Sequence, residues 1–230
     1  MDIRMILRGA LPLSSLPVHT AKAFNTQRPH GPAPKGNESM KKLALVSGIL
    51  ALAAPLAMAQ STTWVSDQPH SEVQFSITHM GISHVSGRFG KVAATVVYND
   101  ADATKSTVSA TIDLTTVDTG EAARDTHLKS PDFFDVTANP NATFTSTSVV
   151  KDGSGLKVTG NFTLHGVTKP VVLDVEGPAG PVQGMDHKPH AGFTATTTIH
   201  RTDFGIGSKF PAAVVGDDVK LTIDLEVVKQ

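Results

Sequence analysis

The chain has 230 residues, with 20 Lys and Arg against 21 Asp and Glu, ten His and no Cys. The absence of Cys excludes disulfides, thiol chemistry and Cys-type zinc sites. Seven of the basic residues but only two of the acidic ones precede residue 60, so the remainder is acidic and a poor partner for nucleic acid.

The first predicted element in chain order is a signal for export. Met40-Lys41-Lys42 is a short basic start, 43–54 is an apolar run, and Ala57-Met58-Ala59 supplies the small residues that signal peptidase needs. The run is shorter than the ~20 residues of a membrane-spanning helix. We therefore predict a signal peptide over 40–59, cleavage after Ala59, and a secreted protein of the periplasm. Residues 1–39 show no sustained periodicity and are predicted to be a gene-start artefact or a disordered extension.

Residues 60–230 are predicted to form one domain built from eight strands. Apolar and polar residues alternate in eight segments, which is typical of strands with one buried face. The segments are 73–77, 88–98, 107–115, 142–150, 156–164, 171–175, 193–199 and 219–227. Turn sequences such as Asp152-Gly153-Ser154-Gly155 and His165-Gly166 join neighbours as antiparallel hairpins. By contrast, 177–188 is rich in Pro and Gly and is predicted to be a loop.

One short helix is predicted at about 118–130. Asp118 and Glu121 have the spacing of a capping box, and two alanines follow them. Pro131 is expected to end the helix. The domain is therefore all-β apart from this single helix.

Eight antiparallel strands that share one apolar face are expected to close into a barrel, which removes exposed edges. Membrane barrels carry aromatic girdles, whereas this chain has one Trp and one Tyr, so the apolar face is predicted to point inward. Several inward positions are small, among them Ala94, Ala110, Gly160 and Ala195. They fit either a packed interior or a cavity for one slender apolar ligand, and the pattern does not decide between the two.

Several motifs go beyond what a generic barrel requires. The longest is 118–135, and others are 71–80, 142–146, 160–170 and 201–206. In this order, over 62–228, they resemble the YceI-like family. The resemblance implies an extended, eight-stranded antiparallel lipocalin-like barrel in the bacterial periplasm. It also implies that the barrel holds a polyisoprenoid, quinone-like or other long-chain lipid, and it supplies no catalytic residues.

We therefore predict a lipid-binding protein, not an enzyme, whose apolar interior forms the wall of the site. The lipid is its only predicted ligand, without a further cofactor or a metal. The predicted wall residues are Phe75, Ile77, Phe89, Val96, Ile112, Leu114, Phe133, Phe134, Phe144, Phe162, Leu164, Leu173, Phe193, Ile199, Phe204, Leu221, Ile223 and Leu225. Phe133 and Phe134 are adjacent, so an extended chain would point them to opposite faces.

The candidates for contacting the ligand's polar head are Arg124 and Asp125. We favour the alternative interpretation of these two residues, an ion pair or a helix-end contact that ties the helix to a strand, because such surface pairs are common. The partners considered are an isoprenoid quinone or long-chain amphiphile, a transient membrane redox partner, and a second copy in a homodimer.

Two other functions stay open at this point. A metal-dependent periplasmic enzyme would use loop histidines such as His187 and His190, although their spacing matches no zinc motif. An adaptor module for a membrane redox partner would instead have an interior packed solid.

Overall fold

The computed structural model describes Gly31 and residues 60–230. The predicted signal peptide at 40–59 lies outside the described residues, as does the predicted extension apart from Gly31. The helix is α1 (Ala122–Lys129), and the strands are β1 (Ser61–Ser66), β2 (Glu72–His79), β3 (Ser83–Phe89), β4 (Val92–Asn99), β5 (Thr107–Asp113), β6 (Val117–Asp118), β7 (Asn141–Asp152), β8 (Gly155–Leu164), β9 (Val167–Gln183), β10 (Pro189–His200) and β11 (Val215–Lys229). None of the helices in this part of the chain is long and apolar enough to cross a membrane.

These segments form the eight antiparallel strands of a closed barrel. β1 with β2, β3 with β4, and β5 with β6 are three long strands that are each interrupted once. The sheet runs β1-β4-β5-β7-β8-β9-β10-β11 and returns to β1, with β2, β3 and β6 continuing it beyond the interruptions. The predicted all-β, eight-stranded antiparallel barrel with one short helix is confirmed.

The two ends of the barrel are closed differently. At one end, the seam end, β1 pairs with both β11 and β4, so the sheet is continuous. At the other end, the helix end, β6 pairs with β3, and the chain then leaves the sheet and forms α1 before it enters β7. The helix end also carries the β2–β3 turn and the loop 205–214. A helix and loops therefore complete the wall where the sheet stops.

The helix begins later than the capping-box spacing predicts. Glu121 is the N-cap, and its carboxylate accepts a hydrogen bond from the Ala123 N–H at 3.3 Å. Asp118 instead belongs to β6 and accepts from the Gly120 N–H. Gly120 has a φ of 76°, a left-handed conformation that turns the chain between strand and helix. The prediction of Asp118 as a helix cap is therefore wrong.

The strand predictions need three corrections. β1 was missed because its only fully buried apolar side chain is Trp64. The segment 88–98 spans the interruption between β3 and β4. The predicted loop 177–188 is shorter, because β9 continues to Gln183 through Gly177 and Gly180, where the pairing with β10 is irregular. Both glycines have positive φ, so they mark bulges inside a strand.

Candidate ligand-binding cavity

A cavity of about 440 Å³ lies inside the barrel, and its surface is almost entirely apolar. Its wall follows the alternation along the strands, since on β10 the inward side chains are Phe193, Ala195 and Thr197 and on β11 they include Leu221 and Ile223. The volume falls within the range of about 300–1,000 Å³ that is typical of small-molecule sites. The interior is therefore hollow, and the alternative of a barrel packed solid is wrong.

The small inward residues behave differently from one another. Ala110 and Ala195 border the open space of the cavity. Gly160 does not, because the ring of Phe144 lies against its Cα, where a Cβ would stand. Ala94 is buried and lies outside the lining. Volume is therefore left empty at some small positions and filled by a neighbouring ring at another.

All of the predicted wall residues line this cavity except Phe204. Phe204 is 2% exposed and packs edge-on against Phe162, with ring centroids 5.6 Å apart. It belongs to the 3-10 turn Arg201–Phe204 that follows β10, where the two-residue period no longer sets the direction of a side chain. The prediction that Phe204 forms part of the wall is therefore wrong. For the predicted wall residues that do line the cavity, contact with a ligand stays a prediction.

Phe133 and Phe134 both line the cavity, although they are adjacent in the chain. Phe133 stacks on Phe210 with ring centroids 5.2 Å apart, and Phe134 meets Phe89 edge-on at 5.5 Å. The argument from an extended chain fails here because the residues lie in a turn after α1. The two rings attach this turn to the barrel wall.

Arg124 and Asp125 do not form an ion pair with each other; both bind Thr119. Arg124 donates from Nε to the Thr119 hydroxyl at 2.8 Å and from Nη2 to its carbonyl at 2.9 Å. Asp125 accepts from the N–H and hydroxyl of Thr119. These are helix-end contacts. Only Arg124 borders the cavity, so Asp125, whose Oδ1 is engaged by Thr119, is not placed to meet a ligand head.

Arg201 is a buried charged residue at the cavity that sequence reasoning missed. It is 2% exposed and lines the cavity at the helix end. Its guanidinium donates five hydrogen bonds of 2.7–2.9 Å to carbonyls of one loop and the start of β11, those of Ile206, Gly207, Phe210, Val215 and Gly216. All five N–H donors are therefore used to hold backbone. The only sequence signal was its place in the motif 201–206.

Asp132, near the helix end, offers a test of electrostatics. Its hydrogen bond from Lys209, with a smaller contribution from His127 at 3.6 Å, holds the pKa of the Asp132 carboxyl below its usual value of 3.8. A carboxyl whose pKa is lower in the folded than in the unfolded protein stabilises the fold at pH values above its unfolded-state pKa. This stabilisation is lost as the pH falls through the folded-state pKa.

We therefore expect Asp132→Asn to lower the free energy of unfolding at neutral pH, and the difference from wild type to shrink below about pH 4. Urea unfolding at a series of pH values measures this difference. Asp203→Asn, at an exposed position of the same end, is the control. If the difference in unfolding free energy between Asp132→Asn and wild type stayed constant from neutral to strongly acidic pH, the lowered pKa of Asp132 would be contradicted.

A closed antiparallel barrel of eight strands around an apolar cavity is the architecture of proteins that enclose one small ligand. The sequence model of the YceI-like domain matches residues 64–227. The chain therefore belongs to the YceI-like family, as the order of its motifs predicts.

Individual relatives agree with this membership. Protein YceI of Shigella flexneri is 39% identical over 197 residues, which cover 83% of this chain and 100% of its own. The crystal structure of BcnA from Burkholderia cenocepacia matches with a TM-score of 0.63 and 25% identity, covering 70% of this chain and 98% of BcnA. A polyisoprenoid binding domain from Saccharophagus degradans matches with a TM-score of 0.54 and 17% identity, over 74% of this chain and 100% of that domain, and so shares the fold.

Proposed function

We propose that this protein is a periplasmic binding protein that carries a polyisoprenoid, quinone-like or other long-chain lipid inside its barrel. The observation that carries the proposal is the cavity of about 440 Å³ with its almost wholly apolar surface. Each CH₂ group that leaves water for such a surface contributes about 0.8 kcal/mol, so a long alkyl or isoprenoid chain gains most from it. The proposal includes no catalytic step and no cofactor besides the lipid.

Two further observations support this function. The polyisoprenoid binding domain of Saccharophagus degradans has the same fold, so this fold is compatible with a ligand of that class. The predicted signal peptide at 40–59 supports a periplasmic location, where a lipid needs shelter from water.

The ligand's polar head is proposed to lie at the helix end. Arg124 and His127 border the cavity there, and Nε and Nη2 of Arg124 are the atoms that bind Thr119. Its Nη1 group is therefore free of that contact and available to a carbonyl or hydroxyl oxygen. The hydrocarbon chain would then extend along the inner faces of β10 and β11 toward the seam end.

Mass spectrometry of the bound lipid tests this function. The protein is expressed with its own leader, purified from the periplasm without detergent, and extracted into organic solvent. We expect a long-chain lipid in an amount approaching one per protein, and native mass spectra that show the same added mass. A protein that yields no lipid and also fails to bind ubiquinone or a fatty amide would refute the proposal.

A further inference from the structure

The interruption between β1 and β2 carries a group of ionisable side chains on the outside of the barrel. Asp67 precedes the 3-10 turn Gln68–His70, and in such a turn residues three apart stand above one another. The His70 Nδ1 consequently lies 2.8 Å from the Asp67 Oδ2. The Asp67 N–H also donates to the Glu226 carbonyl at 2.8 Å, which docks the turn on β11. This places the Glu226 Oε2 at 4.0 Å from the His70 Nδ1.

A second histidine fixes the orientation of Glu226. The side chain of His190 is only 13% exposed, and its Nδ1 lies 2.6 Å from the Glu226 Oε1. Its Nε2 lies 3.0 Å from the Asp186 Oδ1, so both ring nitrogens are engaged. One oxygen of Glu226 is thereby held by His190, while the other faces Asp67 and His70. Ligands of protein-bound metals are commonly oriented by such an outer layer of hydrogen bonds.

The charge of this group is not balanced by a permanent cation. Within residues 60–230, the ion pairs of Asp67, Asp186 and Glu226 are all with histidines, and none is with Lys or Arg. The site therefore holds two carboxylates, those of Asp67 and Glu226, beside His70, whose imidazole is neutral when it binds a metal.

We propose that Asp67, His70 and Glu226 form a binding site for a borderline divalent cation, with Zn²⁺ as the ion to test. One oxygen or nitrogen atom from each of the three side chains lies within 4.8 Å of the others. Zinc takes imidazole nitrogen and carboxylate oxygen at about 2.0–2.2 Å, so small rotations bring these atoms into range. The His70 side chain is 63% exposed and free to make such a rotation.

The outer face of the site is accessible. His70 and Glu226 border a surface pocket of about 480 Å³, which is also lined by Glu176 and Asp224. Three protein ligands leave one position of a tetrahedral ion open, and that position would face this pocket. His190 is a positioning residue in this arrangement, because it acts on the cation through Glu226.

Calorimetric titration of Zn²⁺ into the protein tests the site. The full-length product is purified without a polyhistidine tag, freed of metal with a chelator and dialysed near neutral pH. We expect one Zn²⁺ per chain and a thermal unfolding temperature that rises with Zn²⁺. His70→Ala should abolish both effects, and His190→Ala should weaken binding by about 10- to 100-fold, as loss of an orienting partner does. Mg²⁺ should not compete, since imidazole is a poor ligand for it.

His187→Ala is the matched control. His187 lies in the β9–β10 loop, three residues before His190, is exposed, and is outside the group of ligand atoms. Glu226→Gln preserves the shape of the site while it removes a ligand charge, so it separates metal binding from folding. Absence of saturable Zn²⁺ binding would overturn the proposal. So would binding that survives His70→Ala and Glu226→Gln, or that falls equally in His187→Ala.

Discussion

Replacing Ala195 by phenylalanine is expected to abolish lipid binding while the barrel stays folded. Ala195 lies on β10 between Val175 of β9 and Ile223 of β11, and its methyl group faces the cavity. In a filled core the extra ring would cost about 1–3 kcal/mol through overpacking. Here it enters empty volume and occupies the place of the ligand's chain. The amount of lipid extracted per protein and the thermal unfolding temperature measure the two parts of this expectation.

Thr196→Phe is the matched control for this experiment. Thr196 is the next residue of the same strand, and its side chain is exposed on the outer face. It receives the same ring without filling the cavity, so its lipid content should equal that of wild type. If Ala195→Phe lowers stability, Thr197→Leu repeats the test at the next inward position. A folded Ala195→Phe protein with undiminished lipid would show that the ligand lies elsewhere.

Arg201→Met is expected to lower the free energy of unfolding by about 3–5 kcal/mol, because each buried polar group left without its partner costs about 1–3 kcal/mol. Methionine is apolar and shorter and donates nothing, so five backbone carbonyls lose their hydrogen bonds, two of which are fully buried. Removal of the buried charge itself offsets part of the loss. Urea unfolding with an unchanged m-value measures the difference.

Arg88→Met is the control, because Arg88 is an exposed arginine of β3. Its side chain is 58% exposed and makes two surface ion pairs, with Glu72 and Asp118, each at 3.4 Å. Such pairs contribute about 0–1 kcal/mol, so this variant should be close to wild type in stability. If Arg201→Met cost no more than Arg88→Met, the buried network would not be what holds the loop 205–214 against the barrel.

Regular strands were predictable because a period of two residues fixes the face to which each side chain points. On β11, Leu221, Ile223 and Leu225 all line the cavity, as their alternation predicts. The helix was predictable because Ala122 and Ala123 favour helix and Pro131 follows shortly after its last residue, Lys129. Both results depend on neighbours in the chain alone.

The misassigned and missed residues depend on contacts between distant segments or on irregular backbone. Phe204 follows the end of β10 in a 3-10 turn, so alternation no longer applies to it. Arg201 satisfies carbonyls up to Gly216, and the sequence does not indicate where they come to lie. The cavity itself results from the sum of many side-chain volumes. Alternation shows which residues face inward but not how much space they leave.

The seam between β1 and β11 has a consequence for the order of folding. Ser71, which directly precedes β2 in the strand interrupted after β1, binds the backbone of Glu226, 155 residues away in the chain. Contacts of such long sequence separation slow folding, because the entropy of closing a long loop is lost before the contact forms. The edges of β1 and β11 therefore stay available to other chains until the last strand docks. An enclosed interior exists only after that step, so a lipid can be sheltered only by a domain that has completed its folding.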